Sequence, residues 1–521
     1  MSGVYFKRLR GWRFLLFNLC LGGGHALVVF NAGAYIAMLP RVAGGLGIPL
    51  SFAAWTQTDY MIGLALGYPV GGWLSRRIGE YRPFIASCLV FALSSACCAY
   101  ATSLLPYLSA RILLGFSGGV SLPIGQSLLL KEYPERQKSL GIGVWNLVTL
   151  TPFTLGPPLG GWIADSVGWR WLFRLNIALA LSIAACIGAL LYARGSRAIR
   201  RRFDSVGFAL AACTLLGLQT LLNQGNDSDW GNSPYLSAVA GFSVASLVFW
   251  IWWEARVKHP YIDIRLFERR NVAIGVVALC CGFLMFQGLL SMLIVQLQVT
   301  LGYSSLLAGL VFLPMAIFAK PTAGIMHEIV NRTDARLLAS INLTAFSAVY
   351  FWLGRFDDPA AFDRLFWAKL WEGICLGSFF VPLTRLMLHD LPAERHWQAL
   401  ELANFLRIAA GGFGISLQAI VLYRRTPLHL HRFAENHSDF TALQRLVDAG
   451  YSDAAAFAKF AKLVTQAQQI RSISDAYWLA GCAFLTLAAL VWFAHPPRKP
   501  NEAGAQPALS QLAAEVVAEE I

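Results

Sequence analysis

Few ionisable residues interrupt the long apolar stretches of this 521-residue chain, and their types and spacing suit proton transfer or the holding of a polar solute. Asp59 and Arg111 each lie inside an apolar run. His25 and Asn31 stand in "GHALVVFNAGAYIAMLP" at 24–40, a run without lysine, arginine or glutamate. Lys369 and Glu372 are three apart, so they can pair on one helix face. Arg407 follows Asn404 in "ANFLRIAAG", and Gln287, Gln296 and Gln298 punctuate another run. An ionisable group in hydrocarbon is costly unless a partner or a wet cavity offsets it, so each is a functional candidate.

The chemistry such groups can do is limited. A buried carboxylate such as Asp59 that exchanges a proton for an arginine partner such as Arg111 would couple proton movement to a conformational change; a static salt bridge is the alternative. His25 can titrate near physiological pH or sit neutral against a backbone carbonyl. Lys369 and Glu372 can read a polar or zwitterionic substrate, or neutralise each other near the outer interface. Asn31, Asn404, Arg407 and the glutamines are candidate cavity groups. Glu401 and Lys320 are close enough to span ends to snorkel. Trp55, Phe286 and Trp371 read as packing or belt residues.

These residues must be positioned by helices in a bilayer. The chain is 56% hydrophobic and 14% charged, against about 25% charged in soluble domains. Its apolar residues come in blocks of ~20 or more, the length that crosses the hydrocarbon layer. Fourteen spans are expected, the first near 14–39 and the last near 475–494. The fold class is all-α and polytopic. The formal net charge of +13 collects in short loops, including Lys7, Arg8, Arg76, Arg77, Arg136, Arg194, Arg197, Arg200 and Arg201. That is a topology signal and not a nucleic-acid surface; it places both termini in the cytoplasm. The ten cysteines form no CxxC pair or Cys/His cluster, so they read as structural thiols, with no metal site. "KRLRGWR" runs straight into the first span, as an uncleaved anchor would.

Two segments carry motifs. In "GLALGYPVGGWLSRRIGEYRP", Gly63, Gly67 and Gly71 recur every four residues, a bare face for close helix approach, and Gly72, Arg76, Arg77 and Gly79 make a short basic turn. In "TPFTLGPPLGGW", Gly156, Pro157, Gly160 and Gly161 make a kinked, small-residue segment that neighbouring helices must support.

With "SARILLGFSGG", "FDSVG", "IDIRLFERRN", "ANFLRIAAG" and "LVWFAHPP", these segments resemble the fourteen-helix drug:proton antiporters of the major facilitator superfamily, closest to EmrB-type inner-membrane subunits of tripartite multidrug efflux pumps. The resemblance covers about residues 12 to 496. It implies two six-helix bundles plus two inserted helices: 1–193, an insert at 194–270, 271–496 with a long periplasmic loop at 424–474, and a cytoplasmic tail at 497–521. It implies proton-coupled export of small amphipathic compounds across the bacterial inner membrane, no cofactor beyond the proton gradient, and a periplasmic adaptor with an outer-membrane channel as partners. Arg111 matches the family's cavity-side arginine and Arg407 its "NF-x-R" arginine. Aligned on Pro40, Asn31 stands where relatives usually carry an aspartate, so the proton carrier is open among Asp59, Arg111 and His25. Lys369 and Glu372 depart from the family's usual amides. That departure favours a rival reading, a dedicated exporter of an endogenous polar metabolite such as a siderophore. A membrane receptor or scaffold that does not transport is the reading from another class; no HExxH or paired-aspartate motif in a span points to an enzyme.

Overall fold

The computed structural model describes residues 9–134, 138–192, 202–228, 230–355, 362–436, 441–449 and 451–495. The expected tail at 497–521 and Lys7, Arg8, Arg136, Arg194, Arg197, Arg200 and Arg201 of the topology argument lie outside them. The first six helices are α1 (Trp12–Leu46), α2 (Leu50–Ile78), α3 (Tyr81–Tyr100), α4 (Leu104–Glu132), α5 (Lys138–Ser166) and α6 (Arg170–Leu191). Next come α7 (Ser205–Gln224) and α8 (Pro234–Arg256), then α9 (Arg270–Val299), α10 (Ser305–Leu310), α11 (Leu313–Ile329) and α12 (Ala335–Leu353). The last are α13 (Phe362–Leu388), α14 (His396–Asn436), α15 (Thr441–Asp448) and α16 (Asp453–Val491).

Local chemistry sets the ends. Gly47 closes α1 in the left-handed region at φ 64° and donates to the last carbonyls, as glycine after a helix does. The Asp204 carboxylate caps α7 by accepting from the Gly207 amide at 2.9 Å. Ser233 precedes Pro234, so α8 starts on a cap and a residue with no N–H to satisfy. Pro314, in the first turn of α11, interrupts the ladder and splits one span into α10 and α11.

Among the described residues, eleven spans are long and apolar enough to cross a bilayer, α10 and α11 counting as one. With α2, α5 and α13, of 29, 29 and 27 residues, the spans make fourteen. The runs of α2 and α13 are diluted by Gln57 and Asp59 and by Lys369 and Glu372.

Packing repeats along the chain. Early on, α1 packs most extensively on α5, α2 on α4 and α3 on α6; later α9 packs on α14, α11 on α13 and α12 on α16. Counted in spans, the same three pairings recur eight spans later. Small residues permit the close approaches. Gly63, Gly67 and Gly71 lie against the α4 backbone at Ile112, Phe116 and Val120, while Gly115 and Gly119 lie against α2. Gly288 and Gly414 bring α9 and α14 together in the same way. The inserted α7 and α8 pack chiefly on each other, and α7 also touches α2 and α14.

The segment 424–474, expected as a long loop of helical pattern, is largely helix. With 41 residues, α14 is about 60 Å long at ~1.5 Å per residue, twice the ~30 Å hydrocarbon thickness. Its last turns and the first turns of the 39-residue α16 therefore project beyond the membrane, with α15 between them. Arg425 and His429 both reach Asp475 at 2.7 Å and fasten the base of this projection. Below, the "near" end of the bundle is the one where α1 begins, and the "far" end carries the projection.

Candidate functional site

In the first bundle the dominant polar feature is Arg111. Its side chain is fully buried. Nε donates to the Thr56 carbonyl at 3.0 Å and Nη2 to Gln57 Oε1 at 2.8 Å. The guanidinium carbon lies 3.8 Å from the Tyr35 ring centre and 4.5 Å from that of Tyr60, so two aromatic faces share its charge. Gln57 is held in turn by donating to the Ala32 carbonyl at 2.9 Å. Tyr35 links by hydroxyl contacts to Thr56 at 2.6 Å and Tyr107 at 2.9 Å.

Asp59 takes no part in that cage. It is half-buried, and among the described residues no ion pair joins it to Arg111. The arginine acts on it only through space. The expected contact goes to Gln57 because positions two apart on a helix point to nearly opposite sides.

His25 packs against Trp145, ring centres 4.2 Å apart with the planes tilted by 58°, inside the first bundle. Asn31 forms a reciprocal amide pair with Asn176 of α6. Each side-chain nitrogen donates to the other's oxygen, at 3.1 and 3.0 Å, and Asn31 also donates to the Leu27 carbonyl at 2.8 Å. Asn31 is fully buried. Its amide is turned into the bundle and is satisfied there.

Between the bundles sits a second basic centre. The Arg407 guanidinium lies over Phe283 at 4.9 Å and Phe380 at 5.3 Å and donates to Asn404 Oδ1 at 3.0 Å. Asn404 donates to the Tyr68 hydroxyl on α2 at 3.1 Å, so the cluster joins both bundles. Phe286 faces Phe153 of α5 across the seam, with 6.4 Å between ring centres. The Gln287 side chain is fully buried on α9, and neither its nitrogen nor its oxygen has a hydrogen-bond partner among the described residues. A half-buried cation among aromatic rings, with the uncommitted Gln287 amide one turn along α9 from Phe283, is a surface that can hold an amphiphile by its head and its body.

Both ends of the seam carry the motif residues. At the near end Gly72 lies against Trp397 and Glu401 of α14, and the Arg76 guanidinium stacks over Trp397 at 5.5 Å. Glu401 faces Arg76 here, where the sequence suggested snorkelling. Arg77 stacks on Trp73 at 4.9 Å, and Gly79 ends α2 at φ 82°. At the far end Gly156 and Gly160 face α1 at Gly33 and Ala34, while Gly161 and Pro157 face α10 at Ser305 and Gly309. One kinked segment thus packs within its bundle on one side and across the seam on the other. The Leu306 amide donates to Asp165 at 2.8 Å, and Gln298 donates to the Ala37 carbonyl at 3.1 Å, adding two links between the bundles. Gln296 lies apart from this, within 2.6 Å of the Thr300 hydroxyl at the foot of the projection.

Lys369 and Glu372 neutralise each other, Nζ to Oε2 at 2.5 Å, with both side chains fully buried. They lie inside the second bundle, where the sequence left an interfacial pair open.

The residues the sequence reading missed are uncharged: Gln57, Tyr35, Tyr60 and Asn176. No ionisable group or motif marks them, and only their place beside Arg111 and Asn31 gives them a role.

The comparisons agree with this architecture. The Major Facilitator Superfamily model matches residues 21–415. The chain is 30% identical over 502 residues to the multidrug export protein EmrB of Haemophilus influenzae, covering 95% of this chain and 98% of that one. It is 30% identical over 494 residues to the fatty acid resistance protein FarB of Neisseria gonorrhoeae, with 94% and 97% covered. Among solved structures, the xylose transporter XylE from E. coli superposes with a TM-score of 0.57 at 12% identity, over 95% of this chain and all of that one. An auto-inhibited peptide transporter of the POT family gives 0.58 at 16% identity, over 96% and 100%. Identities this low speak for the fold alone. The chain belongs to the major facilitator superfamily, as a transporter of the EmrB type.

Proposed function

We propose that this transporter exports small amphipathic compounds, preferentially anionic ones, across the bacterial inner membrane in exchange for protons. The observation that carries the reading is Arg407, a cation set among Phe283 and Phe380 and tied through Asn404 to Tyr68 of the opposite bundle. A substrate headgroup at Arg407 would compete for contacts that bridge the bundles, so its binding would bias the rocking motion that alternates access. The names of the relatives, multidrug export and fatty acid resistance, support an amphiphile as cargo. The near end is assigned to the cytoplasm from the basic loops, and the projection of α14 and α16 then lies in the periplasm. Transfer to a periplasmic adaptor and outer-membrane channel follows from the resemblance to EmrB-type pumps. The dedicated polar-metabolite reading loses its motive, since Lys369 and Glu372 are committed to each other.

The test is uptake of an anionic and a cationic amphiphile into inverted vesicles energised with a proton gradient. Arg407→Gln should lose at least about tenfold of anionic transport and less of cationic transport. Equal loss of both would reject the charge selectivity. Uptake that ignores the gradient would reject the antiport.

A further inference from the structure

The buried pair on α13 is placed for more than self-neutralisation. Lys369 and Glu372 lie about 10 to 15 Å along α13 from its far-end start, too deep for either head to reach water by snorkelling. Glu372 uses both oxygens, Oε2 on Lys369 at 2.5 Å and Oε1 accepting from the Tyr350 hydroxyl at 3.1 Å. Lys369 also lies over the Phe312 ring at 4.7 Å.

Two further observations surround the pair. Tyr477 of α16 is buried, interacts electrostatically with Glu372, and its hydroxyl has no hydrogen-bond partner among the described residues. The same tyrosine lines a small cavity of about 10 Å³, room for about one water, with Leu293, Leu353, Leu365, Ile470, Ile473 and Ser474. Leu353 ends α12 and Leu365 lies in the first turn of α13, so the cavity sits at the far end of the second bundle. Leu365 is one helical turn from Lys369, which puts the ion pair beyond the cavity floor. The groups facing Glu372 from the surrounding helices are Tyr350 of α12 and Tyr477 of α16, with Lys369 and Cys375 on α13 itself. The contacts from the α10–α11 break and from α9 are apolar, Phe312 and Leu293.

Phe312 connects this pair to the seam. It stands where span ten breaks into α10 and α11, three residues after Gly309, whose backbone lies against Pro157 of α5. A change in the charge beside Phe312 therefore acts on the element that closes the far end.

We propose that Glu372 is a second proton-coupling site, loaded from the far face through this cavity with Tyr477 as the relay. The proposal rests on the antiport reading above. In the loading step the unpartnered Tyr477 hydroxyl turns toward Glu372, its oxygen takes a proton from a far-side hydronium, which becomes water, and the tyrosine's own proton passes on to Glu372. The carboxylate becomes a neutral acid, the Lys369 ion pair is lost, and Lys369 keeps its charge against Phe312. The cluster gains one positive charge and no covalent bond other than O–H changes.

The test measures protons released per substrate bound by the purified full-length protein in detergent, and substrate-driven proton flux in proteoliposomes. The paired variant Lys369→Met with Glu372→Gln removes both charges, so no unpaired buried ion is left to unfold the protein. It should release about one proton fewer per substrate than the wild type while still binding substrate. Tyr477→Phe keeps the packing and should slow proton flux about tenfold at unchanged substrate affinity. Release and flux unchanged in both variants overturn the proposal and leave antiport standing. A wild type that releases no protons overturns antiport itself, and this site with it.

Discussion

Arg111 is bonded to Gln57 and not to Asp59: Nη2 meets Gln57 Oε1 at 2.8 Å, and the carboxylate two positions on stands outside the contact. A fully buried guanidinium is thus held by an amide, a carbonyl and two aromatic faces, with no counter-charge in contact. Its charge stays uncompensated at short range, which is what allows a nearby proton or anion to matter to it.

The amide is the weak point of that arrangement. Gln57→Leu keeps the volume but leaves Nη2 without an acceptor, at a cost of about 1–3 kcal/mol for the lost hydrogen bond to a charged group. Melting of the detergent-solubilised variant should fall by several degrees, and Gln57→Glu should restore or exceed the wild-type value by forming an ion pair. A Gln57→Glu melting point below that of Gln57→Leu would show that the site does not favour a counter-charge.

Helix spacing in the first bundle rests on Gly67, whose missing side chain lets the α4 backbone pass at Phe116. Gly67→Val forces backbone apart from backbone, since no flexible side chain is there to yield. The expected penalty is about 1–3 kcal/mol or more, read as loss of folded protein on size-exclusion chromatography. Gly241, with nothing near its Cβ position, is the control that should tolerate the same change in packing.

Asn31 and Asn176 give a coupling prediction. Because their amides satisfy each other in the interior, removing one strands the other. Asn31→Ala and Asn176→Ala should each destabilise, and the double variant should cost less than their sum by about 1 kcal/mol. Strict additivity in the melting data would mean that the pair contributes nothing beyond its separate contacts.

How far the sequence could lead is visible in these same residues. Spans were legible because hydropathy accumulates over ~20 residues and survives any detail of packing. The glycine stripe of α2 was legible as a contact face because its period matches the helix, although its partner, α4, was not. Lys369 and Glu372 could be paired from their spacing alone. Gln57, Asn176 and Tyr477 could not be found, because a neutral polar residue gains its meaning from a neighbour on another helix, far along the chain, and no local pattern encodes that neighbour. The projection was foreseen as helical, but not that α14 and α16 would run unbroken out of the membrane.

Outside the spans, Asp334 offers a pH test of stability. It caps α12 by accepting from the Arg336 amide at 2.8 Å and meets the Arg336 guanidinium at 2.9 Å. Partial burial alone would raise its carboxyl; the arginine and the amide outweigh that and hold it below the usual value. A group depressed in the folded state stabilises above its unfolded pKa and loses that contribution as pH falls through its folded one. Asp334→Asn should therefore lower the melting point near neutral pH and converge with the wild type in acid. A gap between the two that stays constant from pH 7 down to about pH 3 would contradict this sign.

Asp59 is the carboxylate of the first bundle best placed to change its proton without breaking an ion pair, since it is half-buried and makes no ion-pair contact with Arg111. On the proposed antiport it would load from the acidic far side and unload toward the near side. Asp59→Asn fixes the neutral form. Substrate should still exchange down its own gradient, but transport should no longer quicken as far-side pH drops. In vesicles the wild type should gain at least about fivefold between equal pH and a two-unit gradient, and Asp59→Asn should stay nearly flat. If the variant keeps the full pH response, the coupling acid of the first bundle is not Asp59, and His25, packed against Trp145 in the same bundle, becomes the next residue to substitute.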